Sequence, residues 1–179
     1  MRNHNYMNND EAVINAWFTG RLPQEWFGGR HEIVLDREEI TVIGTLPEPE
    51  TRADASAAER DALRDGVAQR FREETRDRRI EIAREAEHRF RRKVSWGVRI
   101  GDRTVMFTTL SVPVMTRLRQ PERRVLDTLV AAGVARSRSD ALAWCVRLVA
   151  RRADTWLSDL RDALRHVDRV RSAGPDLVD

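Results

Sequence analysis

Lysine is almost missing from this chain: Lys93 is the only one, and the other 31 basic residues are arginine. Cysteine is reduced to Cys145, which excludes an intramolecular disulfide. It stands between Trp144 and Val146 in an apolar helical stretch and reads as a buried structural thiol. No apolar run approaches the roughly 18 residues that span a membrane. The opening MRNHNYMNND has no apolar core like that of a signal peptide, so a cytoplasmic location is expected. His4, His31, His88 and His166 are scattered, with no metal-ligand spacing among them or with Cys145. There is no Gly-rich phosphate loop or dinucleotide fingerprint. No Ser, His and acidic residue share a nucleophile context. Nothing licenses a reaction class, and the expectation is a non-enzymatic protein with no catalytic residue, cofactor or metal.

What is present is charge of both signs. Charged residues make up 34% of the 179 residues, hydrophobic ones 41%, and the net charge is +3. That balance suits helices with much exposed surface and a modest core, and it excludes a disordered chain. The small positive excess permits a nucleic-acid partner without indicating one. Arginine is nevertheless the side chain that grips phosphate and guanine in planar, bidentate fashion.

Along the chain, residues 1–9 read as a disordered tail, and Asp10 can cap a short helix, Glu11–Thr19, that Gly20 can end. A second turn covers Pro23–Phe27. The pair Trp17-Phe18 recurs as Trp26-Phe27, and these four aromatics either pack on the chain's own sheet or dock a partner protein. Alternation predicts a β-hairpin over His31–Leu46 with Asp36-Arg37-Glu38-Glu39 at its turn. A proline-free stretch, Ala57–Arg92, predicts one long helix closed by the cluster Arg89-Phe90-Arg91-Arg92-Lys93. Those cations suit a helix C-terminus, or a phosphate. A second hairpin turns at Gly101-Asp102, with strands Val94–Ile100 and Arg103–Val114. A helix over 121–132 follows, started by Pro121 and ended by Gly133. The last helix is expected to run unbroken from Ser139 to about Ser172.

That last stretch carries the sharpest pattern. Leu142, Val146, Val149, Ala153, Trp156, Leu160, Ala163, Val167 and Val170 alternate spacings of four and three over four heptads. A 3.5-residue repeat keeps one seam facing a partner helix. It predicts a coiled-coil-like homodimer held by Leu142, Val146, Val149, Trp156, Leu160 and Val167.

The order strand, helix, glycine, helix over Thr108–Arg152, with Gly133 and the run Ser137-Arg138-Ser139-Asp140-Ala141, resembles the ribbon-helix-helix family of bacterial DNA-binding proteins and antitoxins. The resemblance covers about a quarter of the chain. It implies that Phe107–Val114 pairs with its copy in a dimer and lays Thr109 and Ser111 in the major groove. On local chemistry alone, Ser137 or Ser139 can cap the last helix. Its free N–H groups, with Arg136 and Arg138, can hold a DNA phosphate.

The fold expected is α+β. Its parts are a tail (1–9), a helix, hairpin and long-helix region (10–104), a ribbon-helix-helix-like module with an extended last helix (105–172), and a tail (173–179). The function expected is a homodimer that binds duplex DNA, as a transcriptional regulator or nucleoid-associated factor, through Thr109, Ser111, Arg136, Ser137, Arg138 and Ser139. The alternative is an adaptor that dimerises through the same core, engages a protein through Trp17, Phe18, Trp26 and Phe27, and does not bind DNA.

Overall fold

A computed structural model describes residues 5–173. The chain is α+β and forms two compact units, one over Tyr6–Val112 and one from Pro113 onward.

The first unit begins with α1 (Asn5–Arg21), which sets Ile14, Phe18 and Leu22 on one buried face. The helix starts earlier than expected, so residues 5–9 are helical and not part of a tail, while residues 1–4 lie outside the described residues. Gly20 does not end it; it runs on to Arg21, just before Pro23. After Pro23 comes the single turn α2 (Gln24–Phe27), ended by Gly28 at φ 55°. Strands β1 (His31–Leu35) and β2 (Glu39–Leu46) pair antiparallel, with Ile33 opposite Val42. Their turn is tied by the Asp36 carboxylate, which accepts the N–H of Glu38 at 2.8 Å and of Glu39 at 2.7 Å.

The stretch expected as one helix is two, α3 (Ala57–Glu74) and α4 (Arg76–Phe90). Ser56 and Glu59 start α3 as a reciprocal capping box. The break falls at Thr75, whose hydroxyl donates to the Phe71 carbonyl at 2.6 Å. Here Arg79, at the end of the charged run from Glu73, turns inward instead of facing water. It donates to the Thr75 hydroxyl at 3.0 Å and to the Arg72 carbonyl at 2.7 Å. The break thus exposes a carbonyl and supplies its donor.

The two helices return the chain to β3 (Lys93–Ile100), parallel to β2 from Glu39↔Lys93 to Leu46↔Ile100. Gly101, at φ 60°, turns it into β4 (Arg103–Met106), giving the sheet order β1-β2-β3-β4. The strand expected over Arg103–Val114 stops at Met106. Beyond it the Thr108 hydroxyl takes the Trp96 N–H at 2.9 Å, where a carbonyl would have continued the ladder. One sheet face, with Ile33, Ile40, Val42, Trp96, Val98 and Ile100, is covered by apolar residues of the helices. The four aromatics belong to this core. Phe18 and Phe27 are buried, and Trp17 and Trp26 pack beside them. Trp26 meets Phe71 edge-on at 5.7 Å, and Trp17 meets Phe90 at 5.5 Å.

The second unit holds α5 (Gln120–Ala131), α6 (Arg138–Arg152) and α7 (Asp154–Ala173). Gly133, at φ 73°, follows α5, and the Ser137 hydroxyl caps α6 by accepting the Asp140 N–H at 3.2 Å. The last helix is not continuous: it breaks at Ala153, which closes α6 through its N–H to the Val149 carbonyl and opens α7 through its own carbonyl to the Leu157 N–H. The core of this unit is small. Leu126, Ala135 and Ala141 are buried, with Leu118, Leu129, Val130, Leu142 and Cys145 packed partly against them. The thiol expected to be buried is half-buried.

Candidate nucleic-acid interface

The two units differ in charge: residues from Pro113 onward sum to a formal +4 and residues 1–112 to −1, and the positive part is local. Residues 113–153 carry nine arginines against three acidic residues, a formal +6, whereas residues 1–112 carry 19 basic and 20 acidic residues, a formal −1. The positive excess of the whole chain is therefore concentrated on α5, α6 and the segment that leads into them.

Arg117 and Arg119 precede α5, and Arg123 and Arg124 follow Pro121 near its start. Cations at the positive end of a helix dipole are disfavoured by about 0.3–1 kcal/mol each. The helix dipole therefore does not explain them. Arg123 donates to the Leu118 carbonyl at 2.7 Å, which holds the lead-in segment against the helix. Arg117, Arg119 and Arg124 make no side-chain ion pair among the described residues.

At the start of α6 the expected residues come together with divided roles. Ser137 is the cap, and the Asp140 carboxylate accepts the Arg136 N–H at 3.0 Å. The Arg136 side chain is 96% exposed, with Asp140 at 3.8 Å. Arg138 is already engaged, donating from Nε and Nη2 to the two Asp127 oxygens at 2.6 and 2.9 Å. That bidentate bond, more than the Coulomb attraction, lowers the Asp127 pKa and raises that of Arg138. Arg138 thus ties α6 to α5 and is not an open phosphate ligand. Ser139 is exposed beside it.

Thr109 and Ser111 belong to the other unit. Both are exposed, but they lie in an irregular segment of the first unit, since β4 ends at Met106. The expected dimer seam is also divided. Leu142 packs against its own unit's core, while Val146 and Val149 on α6 and Trp156, Leu160 and Val167 on α7 are exposed. The arginines before and within the first turn of α5 were missed. The signal that could have found them is a charge count taken segment by segment.

Among the described residues no group of His, Cys, Asp and Glu is arranged to hold a metal ion. No described helix is long and apolar enough to cross a membrane.

Comparison with known proteins assigns the family. Residues 12–106 match the model of the Rv1265-like protein, N-terminal domain, and residues 119–171 match that of the Mb1296 C-terminal domain. The chain is 57% identical over 168 residues to uncharacterized protein Mb1296 of Mycobacterium bovis and to uncharacterized protein Rv1265 of Mycobacterium tuberculosis. Each alignment covers 94% of this chain and 73% of the relative. No solved structure matches. The chain belongs to the Rv1265-like family. The ribbon-helix-helix resemblance is overturned: the family models that match are these two, and no ribbon-helix-helix family is found.

Proposed function

We propose that this member of the Rv1265-like family is a non-enzymatic, cytoplasmic protein that binds duplex DNA as a homodimer, serving as a regulator or nucleoid-associated factor. One observation carries the reading: the formal +6 of residues 113–153, set against −1 for residues 1–112. Arginines that oppose a helix dipole and lack carboxylate partners are poised for phosphate. The unit offers Arg117, Arg119 and Arg124 for this purpose, with the exposed Arg136 beside Asp140 as a further cation. Ser137 and Arg138 hold the α6 start in shape.

The adaptor alternative has less support. Phe18 and Phe27 are buried and Trp17 and Trp26 pack on the same core, so docking through these four draws on what remains open of the two tryptophans.

The test is duplex binding by fluorescence anisotropy at several salt concentrations. Each neutralised phosphate contributes about 0.9 to the slope of log affinity against log salt. A dimer offers two sets of these arginines. The Arg117→Ala/Arg119→Ala/Arg124→Ala variant is therefore expected to flatten the slope by about 5 and to weaken all sequences alike. Absence of salt-sensitive binding by the wild type, or an unchanged slope in the variant, rejects the proposal.

A further inference from the structure

We infer that the first unit carries a second phosphate-binding site, a basic cleft at the corner where α4 enters β3, and that it contacts the duplex backbone. This rests on the DNA-binding reading above and deepens it. The cleft, of about 430 Å³, lies between the β1–β2 turn and the α4–β3 junction. Four cations line it, Arg37, Arg91, Arg92 and Lys93, against two carboxylates, Glu38 and Glu87, with Leu110 and Val112 as an apolar rim. Glu87 is occupied: it accepts from Lys93 Nζ at 2.8 Å and from the Val94 N–H at 3.3 Å. Arg37 and Arg91 then face one further carboxylate, Glu38.

The plain explanation for cations here is the negative end of the α4 dipole. Two observations exceed it. Arg37 comes from the β1–β2 turn, a different element, so the dipole of α4 does not account for its presence. Arg91, which caps α4, sits at φ 57°, ψ 32°, and is the only non-glycine residue at positive φ among the described residues. Glycine fills a left-handed cap without strain and would keep the Arg91 N–H bond to the Glu87 carbonyl at 3.0 Å. An arginine at this position trades backbone comfort for a cation lining the cleft. Strain of this kind gathers at ligand sites.

The test separates charge from fold in the full chain. Arg91→Gly relieves the left-handed strain while removing the cation, so Tm should rise by about 2–6 °C. In the Arg37→Gln/Arg91→Gly double variant, the log–log salt slope for a random duplex should flatten by about 2 per chain. Affinity near 0.1 M salt should fall about 10-fold or more. Glu38→Gln should act oppositely and tighten binding. Unchanged slope and affinity in the double variant overturn the inference. If the double variant loses its fold, an unchanged affinity in Glu38→Gln overturns it instead. Either result leaves the proposed function to be judged by the Arg117/Arg119/Arg124 variant. A wild type that ignores duplex DNA removes both. Loss of binding to anionic vesicles with DNA binding intact would reassign the cleft to a lipid surface and overturn the inference as stated.

Discussion

Arg79 is 6% exposed and makes no ion pair with a carboxylate among the described residues. Burial, then the nearby charges of Arg72 and Arg76, lower its pKa from the ordinary arginine value. Its compensation comes from the helix break: the Thr75 hydroxyl, the Arg72 carbonyl, and the ring faces of Phe107 at 5.0 Å and Trp96 at 6.0 Å. The two partners of the Arg79–Thr75 bond should respond differently to substitution. Thr75→Val strands a buried guanidinium N–H and should cost about 1–3 kcal/mol in urea unfolding. Arg79→Met removes charge and donors together while filling much of the same space, and should cost less. Equal tolerance of both would show that the bond does not hold the break. His31, half-buried at the start of β1, offers a second test. Burial lowers its pKa from 6.5, so the fold favours the neutral ring. Its contribution is complete above the ordinary pKa and is lost as pH falls through the lowered value. Wild-type stability should drop between about pH 7 and pH 5, and His31→Gln should remove the part due to this ring. A variant with the same pH dependence assigns the loss to other groups.

Among the elements, α2 is a single turn whose place is set by a missing side chain. A Cβ on Gly44 would fall 2.0 Å from the Phe27 ring, which therefore lies directly on the β2 backbone. Gly44→Ala should expel Phe27 and, through it, disturb the Trp26–Phe71 contact, lowering stability by about 1–3 kcal/mol or more. Thermal unfolding with tryptophan fluorescence would detect both effects, and a silent variant would show that α2 is only loosely seated. The strands were legible where alternation has one buried face: Ile40, Val42, Gly44 and Leu46 on β2 are buried in strict turn. The Thr75 break was not legible. A charged run from Glu73 to Arg79 looks like continuous exposed helix unless one knows that Arg79 turns inward. The end of β4 was hidden for a related reason, since a side-chain hydroxyl from Thr108, and not a proline or glycine, stops the ladder. At the candidate site, the α6 cap was legible from Ser137 and Asp140. The diversion of Arg138 to Asp127, eleven residues earlier, was not, because it depends on how α5 and α6 pack.

At the scale of the molecule, α7 is an apolar stripe in search of a cover. Its 20 residues extend about 30 Å. Trp156, Leu160, Leu164, Val167 and Val170 recur along one side and stay 41–60% exposed. Covering such a side chain fully is worth about 1.5–3 kcal/mol, and roughly half of that where half is already buried. Ten side chains in a symmetric pair then give roughly 8–15 kcal/mol, against about 4–15 kcal/mol lost on association. The stripe of α7 alone is marginal, so Val146 and Val149 on α6 should contribute to a stable dimer. Leu160→Asp separates assembly from folding. Leu160 is exposed in the single chain, so the charge costs the fold little, yet it would be buried and unpaired in the dimer. The variant should sediment as a folded monomer with wild-type helicity. It should also present one arginine set in place of two, halving the salt slope of duplex binding. A variant that sediments like the wild type would place the interface elsewhere. A monomer that retained the full slope would show that each chain binds DNA alone, and that α7 serves some other contact.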